Sequence, residues 1–308
     1  MGIIMQDIAI VIVSHNSWAH LPKCLDSLKL AINDIDAEVF VVDNASTDQT
    51  CNKIKDLYPW CNLIKCEING GYSRGNNIGL KAAGFPVSAT FRHALLLNPD
   101  TEIPMDALHA LLTYMDSQSN IGVLGPKLIL NNGKLDKACK RGLPTPSTAF
   151  YHMSGISKIF PKHPIFGRYH MTHIDENEIG DVDSTVGACQ LIRGEALAKA
   201  GLMDETFFMY GEDLDINLRI QQLNYRIVYY PRVIVKHHKG TSTRQTPSPM
   251  IREFYRAMKL FHHKHFEAQH SAITNKIIYG VITIICQYKL FQNRLKPSHK
   301  RVVGSAPE

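Results

Sequence analysis

Long apolar runs are missing from this chain. The run Ile277–Tyr288 near the C-terminus covers about a dozen residues and contains a glycine, whereas a bilayer span needs about 20. The N-terminus has no basic segment and no small-residue cleavage site, so the β-branched run Ile8–Val13 is expected to be a strand and not a secretory leader. Cysteine pairing signals are missing as well. The seven cysteines (Cys24, Cys51, Cys61, Cys66, Cys139, Cys189 and Cys286) are odd in number and form no Cys-x-x-Cys pair. That favours reduced thiols in a cytosolic setting over a disulfide frame or a zinc site. No Gly-x-Gly-x-x-Gly follows the first strand, which removes the dinucleotide fingerprint, and no internal repeat or low-complexity tract is visible. Charge is also modest: a formal net +6 does not argue for nucleic acid as a partner.

What remains is an ordinary globular composition, with 44% hydrophobic and 20% charged residues over 308, enough for one large domain or a domain with an appendage. Apolar runs at Ile8–Val13, Glu38–Val42, Leu63–Lys65, Ala94–Leu97 and Gly122–Leu124 predict strands. Between them, helices are expected at Leu21–Ala31, at Asn52–Leu57 behind a Ser46-Thr47-Asp48 cap, at Asn76–Ala83 and at Met105–Met115. Strands alternating with helices imply an α/β fold with a mostly parallel sheet flanked by helices. From Asn131 to about Gly180, prolines and glycines break every candidate element, so residues 131–180 are expected to form an irregular insert or lid. Order resumes with a strand at Val182–Arg193, a short helix at Arg193–Gly201, a helix at Glu212–Leu223 and a strand at Arg226–Pro231. Residues 1–245 would form the main domain. Residues 246–308 would form a helical, basic and apolar extension, either packed on the domain or lying at a membrane interface.

The chemistry concentrates where apolar runs stop at acids. Leu95-Leu96-Leu97 ends at Asn98-Pro99-Asp100, and Val39–Val42 ends at Asp43. Open α/β sheets bind ligands at the carboxyl ends of their strands. Asp43 can accept a hydrogen bond from the imide of a pyrimidine base, or can simply cap the next turn. Asp100 suits Mg²⁺ or Mn²⁺, which take oxygen ligands and share their shell with substrate phosphates. The loop Asn69–Gly79 is rich in Gly and Asn and leads into a helix, an arrangement that lets backbone approach an anion. Its Arg74 could face the nucleotide. Glu212-Asp213 opens a helix, which complements the macrodipole and also places a general base for deprotonating a hydroxyl. His237 and His238 end the run Val233-Ile234-Val235 and could reach metal or phosphate.

Taken in order, Val11–Asn16, Val41–Asp48, Asn69–Leu80, Leu96–Asp100, Val186–Cys189, Phe208–Asp215 and His237–Thr243 resemble the inverting family 2 glycosyltransferases of the GT-A fold. The likeness covers roughly residues 7–245 and is closest to the bacterial rhamnosyltransferase-like branch. It implies a nucleotide-sugar site along Ser14, Asn16, Asp43, Asn44, Gly71, Arg74, Asn77, Asn98 and Asp100, with Ser14 and Asn16 lining the nucleoside pocket and Asp43 at the base. It implies a metal–diphosphate held by Asp100 with His237, Asp213 as catalytic base and Glu212 on the acceptor side. Two positions depart from the common pattern: Asn98 replaces the first Asp of the metal motif, leaving one carboxylate fewer, and Asn76 stands where many relatives carry Arg. The implied donor is a nucleoside-diphosphate sugar, with dTDP-L-rhamnose ahead of a UDP-hexose. The implied acceptor is a glycan or polyprenyl-linked sugar, met in the cytoplasm at the inner membrane face. A catalytically silent sugar-nucleotide-binding subunit is the rival from another class, but such a subunit would be expected to have lost a carboxylate. A nucleotidyltransferase is the other enzyme, but it would want a basic loop after the first strand, and His15-Asn16-Ser17-Trp18 is not one.

Overall fold

The computed structural model describes residues 5–87, 90–239 and 247–296. The first half follows the expected alternation: β1 (Gln6–Ser14), α1 (Leu21–Ala31), β2 (Ala37–Asp43), α2 (Thr50–Leu57), β3 (Asn62–Lys65), α3 (Gly71–Ala82), β4 (Phe91–Leu97), β5 (Thr101–Glu102), α4 (Ala107–Ser117) and β6 (Ile121–Leu130). There follow α5 (Pro146–Met153), α6 (Ile156–Ile159), β7 (Gly180–Asp181), β8 (Cys189–Arg193), α7 (Gly194–Ala200), α8 (Glu212–Gln222), β9 (Arg226–His237), α9 (Pro247–His265) and α10 (Ala272–Leu295).

The strands form one sheet in the order β3-β2-β1-β4-β8-β6-β9-β5, with β7 also on β9. β3, β2, β1 and β4 are mutually parallel, and β6 is parallel to β9. β8 lies antiparallel between β4 and β6, so β4 and β6 point the same way. The ends of β1, β2, β4, β6 and β9 therefore share one edge of the sheet, and β8 starts from it. Ile8–Ile12 of β1 are wholly buried, as a strand covered on both faces requires.

Several elements differ from the sequence expectation for identifiable reasons. α3 begins at Gly71, five residues early, because tertiary packing overrides weak propensity. Gly75 seats against Val13, and Gly79 against Val11 and Val42, at distances no side chain would allow. β9 runs through Pro231 to His237, because a bulge opposite Pro126–Lys127 leaves Pro231 outside the ladder with β6. The stretch 182–188 is not strand. The Thr185 carbonyl there accepts from Gln190 and Asn217 side chains instead of from a neighbouring strand. α2 starts at Thr50, two residues early, and the expected cap is met by Asp48, whose Oδ1 accepts from Thr50 N at 3.0 Å, while Gln49 makes no side-chain bond. The 131–180 segment holds two short helices, and Pro146 starts one of them behind Thr145, whose hydroxyl accepts from Thr148 N.

α9 packs on α8 through Phe207, Leu218, Ala257 and Phe261. α10 packs on α9 through Ile251, Tyr255, Ile282 and Leu290. α10 is 24 residues long, twice the apolar run that marks it, yet no helix among the described residues is long and apolar enough to cross a membrane. Gly240–Thr243, Lys300 and Arg301, which the sequence singled out, lie outside the described residues.

Candidate active site

Asp43 ends β2 with no exposure at all. Its Oδ2 accepts from Ser46 N at 3.3 Å, and its Oδ1 is buried without a partner. An orphaned carboxylate oxygen at a strand end is costly unless a ligand meets it. Ser14 ends the neighbouring β1, and its hydroxyl lies 2.5 Å from that of Ser17. Asn16 braces the loop after Asp43: its Oδ1 accepts from Thr47 N at 2.8 Å and Asp48 N at 3.2 Å. Ser46 returns the contact by accepting from Asn16 N, which leaves Asp48 Oδ1 to accept from Thr50 N at the start of α2, at 3.0 Å.

Asn44 ties that loop to α3. Its Nδ2 donates to Asn69 Oδ1 and to the Gly71 carbonyl, and its Oδ1 accepts from Gly70 N. Gly71 has φ +85°, and a Cβ there would run into the Phe208 carbonyl, which accepts from Tyr72 N at 2.7 Å. The glycine thus brings the start of α3 against the approach to α8. Asn77 is fully engaged elsewhere, with Met203 N donating to its Oδ1 and its Nδ2 donating to the Met203 carbonyl and Glu205. Arg74 is exposed, its stem lying over Gly70. Of the residues the sequence placed along the nucleotide-sugar site, the structure gathers Ser14, Asn16, Asp43, Asn44 and Gly71 around one loop pair and directs the Asn77 amide away from it.

The metal side is built at the ends of β4 and β9. Asn98 Oδ1 is buried and without a partner, and Asn98 N donates to the Ala188 carbonyl at 2.9 Å. Asp100 Oδ1 lies 3.4 Å from His237 Nε2. On its other side His237 Nδ1 lies 3.0 Å from Asp136 Oδ2, and Lys239 donates to Asp136 Oδ1 at 3.0 Å. Burial works against charge on the His237 ring, but its two carboxylate partners raise it to about 9. Burial likewise pushes Asp100 up, yet His237 holds it below the ordinary carboxylate range. Asp136 is held well below that range against its own burial by His237 and Lys239. Sequence reasoning missed Asp136. The Asn132-Gly133 turn just before it, with Gly133 at φ +75°, was the available signal.

Among the described residues no group of three or more His, Cys, Asp or Glu is arranged to hold a metal. Asp100 and His237, with the unpartnered Asn98 oxygen alongside, fit a divalent ion that completes its shell with substrate oxygens, provided the ion displaces the proton that the two carboxylates keep on the His237 ring. Asp136 behind His237 is the kind of carboxylate that orients a ligating imidazole.

The acids of α8 close the site. Asp213 Oδ2 accepts from Arg141 Nη2 at 2.6 Å and from Gly187 N at 3.3 Å. Gly187 and Ala188 are adjacent, so one short turn joins Asp213 to Asn98. Tyr72 donates to the Gly187 carbonyl at 2.7 Å, and its hydroxyl is raised by burial and by the charges of Glu212, Asp213 and Asp100. Glu212 is buried with Oε2 unpartnered, and burial next to Asp213 pushes it up to about 8. Arg141 and Tyr72 are further residues that the sequence did not single out. Arg141 sits where the periodic pattern fails and gave no signal.

This sheet edge thus gathers an acid at the end of β2, an acid–imidazole pair beyond β4 and an acid pair at a helix start. The profile of Glycosyl transferase family 2 matches residues 9–164, half of the chain, and that of Glycosyl transferase family group 2 matches 147–260. The chain belongs to glycosyl transferase family 2 and is a glycosyltransferase. It is 27% identical over 257 residues, 82% of each chain, to the N-acetylglucosaminyl-diphospho-decaprenol L-rhamnosyltransferase of Mycobacterium tuberculosis. It is 26% identical over 251 residues to rhamnosyltransferase WbbL of Escherichia coli K12, covering 79% of this chain and 88% of that one. The fold is also that of GalNAc-T7, solved with UDP, GalNAc and Mn²⁺, at TM-score 0.55 and 16% identity, covering 94% of this chain and 58% of that one. The GT-A fold expected from the sequence is thereby confirmed.

Proposed function

We infer that the chain is an inverting transferase that moves L-rhamnose from dTDP-L-rhamnose onto a polyprenyl-linked or glycan acceptor of the cell surface. The observation that carries the reading is the short turn Gly187-Ala188. The Gly187 N–H holds Asp213 and the Ala188 carbonyl holds Asn98, so the residues read here as base and as neighbour of the diphosphate lie on either side of two residues. Asp43 Oδ1 receives the imide N–H of the base, which thymine and uracil share. Asp100 and His237 would hold Mg²⁺ or Mn²⁺, which would supply positive charge against the departing diphosphate. Asp213 takes the proton from the acceptor hydroxyl as it attacks the anomeric carbon on the face opposite the leaving group. Arg141 and Gly187 N fix the direction of its carboxylate. The rhamnose assignment rests on two relatives of that specificity, and the lipid-linked acceptor on the name of the first. With such an acceptor the chain would work in the cytoplasm at the inner membrane face.

The test is a panel of dTDP- and UDP-sugars, read by thermal stabilisation with Mn²⁺ and with EDTA, followed by NMR of the product anomer. Metal-dependent stabilisation by dTDP-rhamnose and an inverted product are expected. Stabilisation by UDP-hexoses alone moves the donor to the alternative, and no response to any nucleotide sugar removes the reading.

A further inference from the structure

α10 buries one face on α9 and leaves the opposite face uncovered. Ile277, Val281, Ile284, Tyr288, Phe291 and Leu295 are each between 45% and 70% exposed. They recur every three or four residues, so they form one stripe about 27 Å long at 1.5 Å per residue. An apolar stripe of this length on a protein surface marks a binding face. Charge identifies what it binds. Residues 247–296 hold eight Lys or Arg against two Asp or Glu, an excess of six that equals the formal net charge of the whole chain. From Ala272 to Lys296 there is no acid at all, and the exposed Lys276 flanks the stripe.

We propose that this face of α10 docks on an anionic lipid surface, with the stripe entering the headgroup boundary and the basic residues meeting the headgroups. A helix with an apolar face and cationic flanks lies in the interface plane in this way. The same spacing is that of a coiled-coil seam, so a second copy is the competing occupant. Two copies of a helix with only positive charge would gain no complementary pairs, whereas phosphates supply them. The placement suits the site. Tyr255 on α9 lies within electrostatic reach of Cys286 on α10 and of Tyr169, and Tyr169 in turn of Arg141 and Asp213. The segment carrying Tyr169 also exposes Phe150, Ile159 and Phe160, and Tyr255 on α9 stands between the lipid-docking helix and that segment. The proposal rests on the transferase reading only for why a lipid surface is useful.

The experiment is flotation of the full chain with phosphatidylcholine vesicles, with and without phosphatidylglycerol, at low and high salt. Binding to the anionic vesicles, weakened by salt but not abolished, is expected. Ile277→Ser/Ile284→Ser/Phe291→Ser should lower partitioning roughly a hundredfold while its circular dichroism and cooperative melting stay as in the parent. Lys276→Glu, which leaves the stripe intact, should lower it roughly fivefold or more. Absence of binding to anionic vesicles, or binding unaltered in both variants, overturns the proposal. So does a dimer in light scattering that the triple variant dissociates without any vesicle binding, which assigns the stripe to a seam between copies. Neither donor nor acceptor is needed, so failure here leaves the transferase reading intact, and failed sugar transfer leaves the vesicle result standing.

Discussion

Arg141 Nη2 and Asp213 Oδ2 meet at 2.6 Å, with the two side chains 18% and 7% exposed. The contact joins the 131–180 segment to the start of α8. Arg141 comes from a stretch bridged to Ser184, so the direction of the proposed base depends on the same segment that supplies Asp136 to His237. Arg141→Met removes one partner of a buried pair and should cost about 3–5 kcal/mol of stability, measurable by urea unfolding. Turnover should fall roughly 10–100-fold with nucleotide affinity unchanged. Arg141→Lys keeps the charge but loses the planar fork, so it should recover stability more fully than rate. Equal recovery of both would make Arg141 a structural residue only.

The first two acids of α8 should separate cleanly. Glu212 is pushed up to about 8 from 4.5 by burial and by Asp213, so at pH 7 it carries a proton and Gln is a close substitute. Asp213→Asn should lower transfer roughly 10²-fold or more, and Glu212→Gln less than about tenfold. Between pH 4.5 and 8 the folded chain keeps a proton at Glu212 that the unfolded chain has released. Wild-type stability is therefore lost as pH rises through that window. Thermal melts should show Glu212→Gln gaining on the parent from pH 5 to pH 8, by on the order of several °C at the upper end. A rate collapse in Glu212→Gln, with Asp213→Asn active, would exchange their roles.

Much of this arrangement was legible in the chain because strand ends announce themselves. Val39–Val42 stopping at Asp43 and Leu95–Leu97 stopping at Asn98 fix both the sheet edge and its carboxylates by local pattern alone. Asp136 and Arg141 were not legible, because each acts through a partner about 70 to 100 residues away and each lies where Pro and Gly erase periodicity. α3 shows the converse. Gly71, Gly75 and Gly79 are poor helix formers by propensity, and only close packing on β1 and β2 and against Phe208 reveals why a helix with glycines belongs there.

α9 is tied to α8 across the sequence boundary at 245 by a buried acid. Asp215 has no exposure and receives Arg219 Nε at 2.9 Å, Lys264 Nζ at 2.7 Å and His265 Nε2 at 2.8 Å. Burial pushes its carboxyl up, but His265, Arg219 and Lys264 hold it below the ordinary value. Its stabilisation is present above the unfolded carboxylate range and is lost as pH falls through the depressed value. A chain ending at Gln269 keeps Lys264 and His265 and should still melt cooperatively. A chain ending at Arg244 strips both, together with the Ala257–Phe261 contacts, and should be unfolded or aggregated by circular dichroism and light scattering. Cooperative melting of the shorter chain would make α9 an appendage.

The metal side yields the last prediction. Asp100 supplies one carboxylate, His237 one imidazole, and Asn98 an uncharged oxygen that is buried without a partner. With this little protein charge, divalent-ion affinity should be weak in the free chain and strengthen when diphosphate adds its oxygens. Calorimetry with Mn²⁺ should show that order, and EDTA should weaken dTDP-sugar binding. Asp100→Ala should weaken it as much, with no further effect of EDTA. Asn98→Asp adds the missing carboxylate and should tighten Mn²⁺ binding about tenfold without nucleotide, since ligand charge sets affinity at such sites. Asp136→Asn leaves both proposed ligands in place but removes the charge orienting His237, and should weaken the ion about 10–100-fold. Undiminished nucleotide-sugar binding and turnover in EDTA, with Mn²⁺ affinity the same in all three variants, would leave Asp100 and His237 as a salt bridge and nothing more.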